Sequence, residues 1–266
     1  MTGFFSRAAI VLAGLPIVLG GAYLGGWFLF ALVAAGTLLA LHELYRLARP
    51  LRPLVLAGYG GALGALIGAE LGDLSWMLAG FLASFVLAFV FAAVSETRQS
   101  TTVAIATTVL GAGWVGLGLS FLLLIRELPD EGRLALFAVL LTVFVSDSLA
   151  YVGGRIAGRH KMTPVVSPGK TWEGFVAGAV GGVLTTWIVL YRENFLSDGW
   201  HSFLLGAVIV MAAVLGDLFE SLVKRDLGAK DTGRLLLGHG GMLDRIDSLL
   251  FAGPAAYFTL LGLGKL

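Results

Sequence analysis

The chain has no cysteine. That absence excludes disulfides, thiolate catalysis and Cys-ligated zinc. Charge is also scarce: Asp, Glu, Lys and Arg make up 13% of the 266 residues, against 58% hydrophobic residues. The formal net charge of +1 gives no argument for nucleic acid as a partner, so the placement of charge carries the information. Internal repeats and low-complexity linkers are missing as well, which removes solenoids and strings of small domains.

What is present is apolar. Mean hydropathy is +0.90, and apolar runs of about 20 residues recur, each long enough to cross a bilayer. The expected fold class is an all-α polytopic integral membrane protein, because lipid leaves isolated strands with unsatisfied backbone groups. Hydropathy predicts about nine transmembrane helices, near residues 7–24, 26–46, 53–70, 74–94, 101–125, 133–153, 172–191, 202–222 and 248–264. The first two are joined by Gly25-Gly26 and read as a helical hairpin or one broken helix. Arg7 ahead of an apolar run resembles a signal peptide, but a second apolar segment follows directly and no polar domain does, so an uncleaved span is expected. The chain divides into residues 1–130, with about five spans, and a catalytic region 131–266, with about four spans and two polar loops at 154–171 and 223–247.

Basic residues set the orientation. Taking the loops alternately places Arg7, Arg46, Arg49, Arg52, Arg98, Arg155, Arg159, Lys161, Lys170, Lys224, Arg225, Lys230, Arg234 and Arg245 on one side, 14 of the 18 Lys and Arg residues. Arg126, Arg133, Arg192 and Lys265 fall on the other. The positive-inside rule puts the rich loops and the N-terminus in the cytoplasm, and an active site with them, as in a bacterial inner membrane. Glycine is abundant, 38 residues, about twice the usual share. Gly60, Gly64 and Gly68, and Gly174, Gly178 and Gly182, recur every fourth residue, a spacing that lets helices approach closely. Such faces also leave room for a homodimer.

Ionisable groups beside a bilayer are expensive and usually have a task. They concentrate at 221–248, SLVKRDLGAKDTGRLLLGHGGMLDRIDS. Asp217, Glu220, Ser221 and Lys224 lie at i, i+3, i+4 and i+7 and share a helix face. Asp244, Asp247 and Ser248 repeat the pattern where the last span starts, behind Gly240-Gly241, with His239 and Arg245 adjoining. Simple capping of a positive helix end would account for the aspartates but not for the histidine and arginine. Lys170 lies where the seventh span begins, a place that favours anions. Gly169-Lys170-Thr171 resembles the tail of a P-loop, but Pro164 stands where that motif needs glycine, so a Walker ATPase is discarded. Asp147, with Tyr151 one turn on, is an acid inside a span, and Glu43 is another near the end of the second. His42, His160 and His201 are isolated. Hard oxygen ligands without cysteine favour Mg²⁺ over zinc. Basic groups beside Mg²⁺ suit phosphoryl or nucleotidyl transfer.

Ser221-x-x-Lys224-Arg225-x4-Lys230-Asp231 followed by His239-Gly240-Gly241-x-x-Asp244-Arg245-x-Asp247 resembles the signature of the phosphatidate cytidylyltransferases, the CDP-diacylglycerol synthases. Ser167-Pro168-Gly169-Lys170-Thr171-Trp172-Glu173-Gly174 is similar to a second family motif, and Asp147-x-x-Ala150-Tyr151 with Gly153 and Arg155 to a third. Leu237 departs from the family, where proline would precede Gly238-His239. The resemblance implies that CTP and phosphatidic acid, drawn from the membrane lipids, give CDP-diacylglycerol and pyrophosphate. On the residues themselves, Asp217 and Asp244 are expected to hold Mg²⁺, with Asp247 and Asp231 as further candidates, bound to the ion directly or through its own ligands. Lys170, Ser221, Lys224, Arg225, Lys230, His239 and Arg245 would take nucleotide and lipid phosphates. A second, monovalent cation is compatible with that chemistry, although no residue pattern calls for one. Rival readings are another CTP-dependent lipid cytidylyltransferase or lipid kinase and, in a different class, an ion-coupled secondary transporter using Asp147 and Asp217.

Overall fold

The computed structural model describes residues 14–94, 100–129, 131–191, 199–233 and 240–264. Arg7, Arg98, Arg192, Arg234, Leu237, His239 and Lys265 lie outside the described residues. The protein is helical, as the apolar runs require. α1 is described over Gly14–Leu24. It is followed by α2 (Gly26–Leu47), α3 (Val55–Leu71), α4 (Leu74–Val94) and α5 (Thr101–Gly111), which passes through a π-helical segment (Ala112–Leu117) into α6 (Gly118–Arg126). Then come α7 (Gly132–Ala157), a hairpin of β1 (Lys161–Thr163) and β2 (Ser167–Thr171), α8 (Trp172–Leu190), α9 (Gly199–Asp226) and α10 (Leu243–Gly262).

Among the described residues, six helical stretches are long and apolar enough to cross a membrane: α2, α4, the continuous Thr101–Arg126, α7, α8 and α9. α1 and α3 are apolar but shorter. At 17 residues, α3 is about 26 Å long. α10 carries Asp244, Arg245 and Asp247 in its first turns, which leaves 15 uncharged residues from Ser248 to Gly262. A polytopic, all-α membrane protein therefore stands. The hairpin is an addition: its strands of 3 and 5 residues, antiparallel with Lys161 opposite Thr171, lie within the polar loop expected at 154–171. It lies between two spanning helices, where water can satisfy its edges.

The chain forms two compact units, Met1–Leu124 with Asp231–Ile246, and Ile125–Lys230 with Asp247–Leu266. In the first, Gly25 (φ 67°) and Gly26 (φ 52°) break α1 from α2 in a backbone region open to glycine. A methyl group on Gly21 would stand 2.8 Å from the Leu32 side chain, so α1 folds back on α2 as a hairpin. Asp73 caps α4 by accepting from Ser75 N (2.8 Å) and Trp76 N (3.1 Å). α3 meets α4 at the glycine row expected to pack: a methyl on Gly64 would lie 3.0 Å from the Gly80 carbonyl, and one on Gly68 would collide with the Trp76 carbonyl. The buried Tyr45 hydroxyl donates to the Thr108 carbonyl at 2.7 Å.

In the second unit, α7 and α8 pack through the other glycine row. Methyl groups on Gly174 and Gly178 would lie 2.6 Å from the Ala150 carbonyl and 2.7 Å from the Ser146 carbonyl. Thr142 and Thr186 share a buried hydroxyl contact of 2.6 Å between the same helices. α9 starts before and ends after its expected limits, so Lys224 and Arg225 join Ser221 in the helix.

Candidate active site

The chemistry of the second unit starts on the face of α9 that carries Asp217, Glu220 and Lys224. Gly216 is the local device. A methyl group there would stand 2.5 Å from the Asp247 carbonyl oxygen and 3.3 Å from the Phe251 Cβ, so only glycine lets α10 approach this turn of α9. Phe219 and Phe251 close the same contact, with ring centroids 5.5 Å apart. The approach brings Asp247 to Asp217 and Glu220. Each offers a carboxylate oxygen, and the three oxygens lie within 4.8 Å of one another.

Three carboxylates so close repel one another, and desolvation adds to the cost. Two lysines offset it. Lys170 Nζ is 2.8 Å from Asp217 Oδ2. Lys224 Nζ is 2.6 Å from Glu220 Oε2, an i,i+4 pair with the acid N-terminal to the base. The Glu220 and Lys224 side chains are only 2% and 13% exposed. Asp247 is also buried and accepts from Ser248 N at 2.8 Å. Among the described residues of the cluster, three carboxylates face two ammonium groups. Asp147 on α7 adds a fourth acid to this field, with Asp217, Lys170 and Ser248 as its neighbours. An all-oxygen donor set, with no histidine among the described residues of the cluster and no cysteine in the chain, fits Mg²⁺.

The hairpin delivers Lys170. That residue sits in β2, two positions before α8, and its ammonium pairs with Asp217 rather than facing the helix end. Thr171 takes the N-cap and accepts from Gly174 N at 3.2 Å. Arg225 reaches the hairpin through Nε to the Val166 carbonyl at 3.5 Å. His160 is not isolated: its Nδ1 lies 2.6 Å from Glu173 Oε1, and Glu173 also accepts from Arg159 N and His160 N. This clamp ties the end of α7 to the start of α8. Tyr151 is exposed, and its hydroxyl accepts from Arg155 Nη1 at 3.2 Å. Ser221 is half-buried one position past Glu220, while Lys230 is exposed.

The first unit holds the rest of the signature. Asp244 accepts from Gly241 N at 2.6 Å and from Thr232 N at 3.2 Å, closing the turn before α10. Gly240 in that turn has φ 81°. Asp231 and Arg245 are exposed. His239 falls outside the described residues. Glu220 is the residue that a reading of the metal group from sequence passed over; its signal was its place one turn from Asp217. Gly216 gave none, because a single glycine in an apolar helix has many explanations.

These features define a class: a polytopic membrane protein with buried carboxylates and flanking cations suited to phosphate chemistry. A family described as the cytidylyltransferase family matches residues 5–262. A phosphatidate cytidylyltransferase of Mycobacterium bovis is 37% identical over 246 residues, covering 86% of this chain and 79% of its own length. One from Mycobacterium leprae is 41% identical over 157 residues, 58% of this chain and 49% of its own. One from Staphylococcus saprophyticus is 37% identical over 156 residues, 59% of each. The chain belongs to the cytidylyltransferase family.

Proposed function

We infer that this protein is a phosphatidate cytidylyltransferase, a nucleotidyltransferase of phospholipid biosynthesis that converts CTP and phosphatidic acid to CDP-diacylglycerol and pyrophosphate. The observation that carries the reading is the cluster of Asp217, Glu220 and Asp247 with Lys170 and Lys224. Lys170, Lys224 and Asp247 come from the motifs that resemble the family signature, in a chain similar over 86% of its length to an enzyme of that name.

The chemistry follows from the residues. A phosphatidate oxygen attacks the α-phosphorus of CTP, an O–P bond forms, and the bond to the pyrophosphate oxygen breaks. The attacking phosphate is already ionised, so no strong general base is required. Catalysis rests on alignment and charge neutralisation. Lys170 and Lys224, held here on carboxylates, would turn to substrate phosphates, joined by Arg225, Lys230, His239, Arg245 and the Ser221 hydroxyl. Asp217, Glu220 and Asp247 would hold Mg²⁺, and Asp244 and Asp231 are further candidates for that role from the signature alone. When bound, Mg²⁺ neutralises triphosphate charge and favours departure of pyrophosphate.

We place nine spans in the bacterial inner membrane, with the N-terminus and the site at the cytoplasmic face. There CTP arrives from water and phosphatidic acid from the leaflet, and residues 131–266 carry the catalysis. The test is incubation of the purified protein with CTP, phosphatidic acid and Mg²⁺, followed by mass analysis of the lipid. CDP-diacylglycerol with one pyrophosphate each is expected. CDP as the co-product would indicate a lipid kinase, and ion flux in vesicles without lipid turnover a transporter.

A further inference from the structure

We propose that Glu43 is a positioning residue for the signature turn, a buried carboxylate on α2 that fixes the start of α10. The proposal rests on the function proposed above and assigns a residue that this function leaves idle.

Glu43 is 2% exposed, among the most deeply buried ionisable groups of the described residues. A carboxylate is kept in such a place only where hydrogen bonds hold it. Its Oε2 accepts from the backbone N–H of Leu243 at 2.9 Å and from the Thr232 hydroxyl at 3.4 Å, across 200 and 189 residues of sequence. Leu243 is the first residue of α10, so its N–H is one of the donors that a helix leaves open at its start, where the backbone dipole also favours an anion. Asp244 caps the same turn from within, through Gly241 N and Thr232 N. Two carboxylates, one local and one from α2, thus hold the Gly241 and Leu243 amides of one turn, and Thr232 is bonded to both.

The glycines agree. A methyl group on Gly241 would run into both Glu43 Oε2 and the Thr232 hydroxyl. One on Gly233 would stand 2.7 Å from Glu43 Oε1. Gly241 therefore follows Gly240 in the motif because Glu43 occupies the space a side chain would need. The turn so held leads directly into Asp244, Arg245 and Asp247. A shift of about 1 Å in such a group can cost on the order of a hundredfold in rate.

The test compares Glu43→Leu, of similar volume without an acceptor, with Glu43→Gln, which keeps a carbonyl oxygen for Leu243 N–H. Two readouts are taken on purified full-length protein: hydrogen exchange of the peptide covering 240–247, and kcat and KM for CTP. Exchange in that peptide should rise at least tenfold in Glu43→Leu and stay within threefold in Glu43→Gln. In the same Glu43→Leu protein kcat should fall at least tenfold, with the thermal midpoint kept, and Glu43→Gln should recover most of it. Unchanged exchange in Glu43→Leu overturns the proposal, as does faster exchange with unchanged kcat, or a Gln variant as damaged as Leu. If Glu43→Leu does not accumulate, Gly241→Ala presses on the same contact and must give the same pair of changes. Should the wild type make no CDP-diacylglycerol, the functional reading fails while exchange alone decides whether the turn is held by Glu43.

Discussion

Replacing Lys224 by methionine removes the ammonium from the most buried ion pair of the cluster. At 2.6 Å the attraction to Glu220 is about 6 kcal/mol at an effective dielectric of about 20. Desolvation of both partners cancels part of it, and breaking such a buried pair from one side typically costs ~3–5 kcal/mol. The cost should sit at the high end here, because Asp217 and Asp247 stay within 4.8 Å of the abandoned Glu220. Glu220→Gln should cost less, about 2–3 kcal/mol, since the lysine stem can carry its charge toward water. The double variant leaves neither charge unpaired and should lose only about 1–2 kcal/mol, so the two losses are strongly non-additive. Thermal unfolding in detergent reads this as a fall of roughly 6 °C or more for Lys224→Met, partly regained in the double variant. Mg²⁺ supplies the second sign. The cluster of Lys224→Met has lost a competing cation, so added Mg²⁺ should raise its midpoint more than that of the wild type. Additive losses with equal Mg²⁺ responses would refute the claim that these groups form one electrostatic unit.

Other perturbations address neighbouring links. Asp217→Asn and Asp244→Asn should each lower turnover at saturating CTP and Mg²⁺ by about a hundredfold or more; near-wild-type rates would remove them from the metal role. Gly216→Ala inserts a methyl 2.5 Å from the Asp247 carbonyl, and should cost about 1–3 kcal/mol in thermal unfolding together with a loss of activity. Tyr45→Phe deletes the hydrogen bond to the Thr108 carbonyl and should cost about 1 kcal/mol without a change in KM for CTP.

The helices were legible because a bilayer demands long apolar runs, and charge placement then located the polar loops. The face of Asp217, Glu220 and Lys224 was legible for the same kind of reason, since helical spacing places those residues together whatever the tertiary fold. The hairpin was not: residues 154–171 read as a polar loop, and strands of 3 and 5 residues offer too little alternation to register. The π-helical segment at Ala112–Leu117 is set by packing, with Gly116 against Ala62, and left no mark in the local sequence. Glu43 could be seen as a polar residue near a helix end, but its partner Leu243 is 200 residues away. His160 read as isolated because its partner Glu173 is 13 positions on, across a turn that was not foreseen.

The central claim is that the α9–α10 carboxylate cluster drives transfer of a nucleotide onto a membrane lipid. It is tested most directly with CTP labelled at the α-phosphate, incubated with phosphatidic acid and Mg²⁺ against wild type and Asp217→Asn side by side. The account predicts label in the organic phase with the wild type, none without Mg²⁺, and almost none with Asp217→Asn. Label confined to the aqueous phase with the wild type, or equal transfer by the variant, would contradict it.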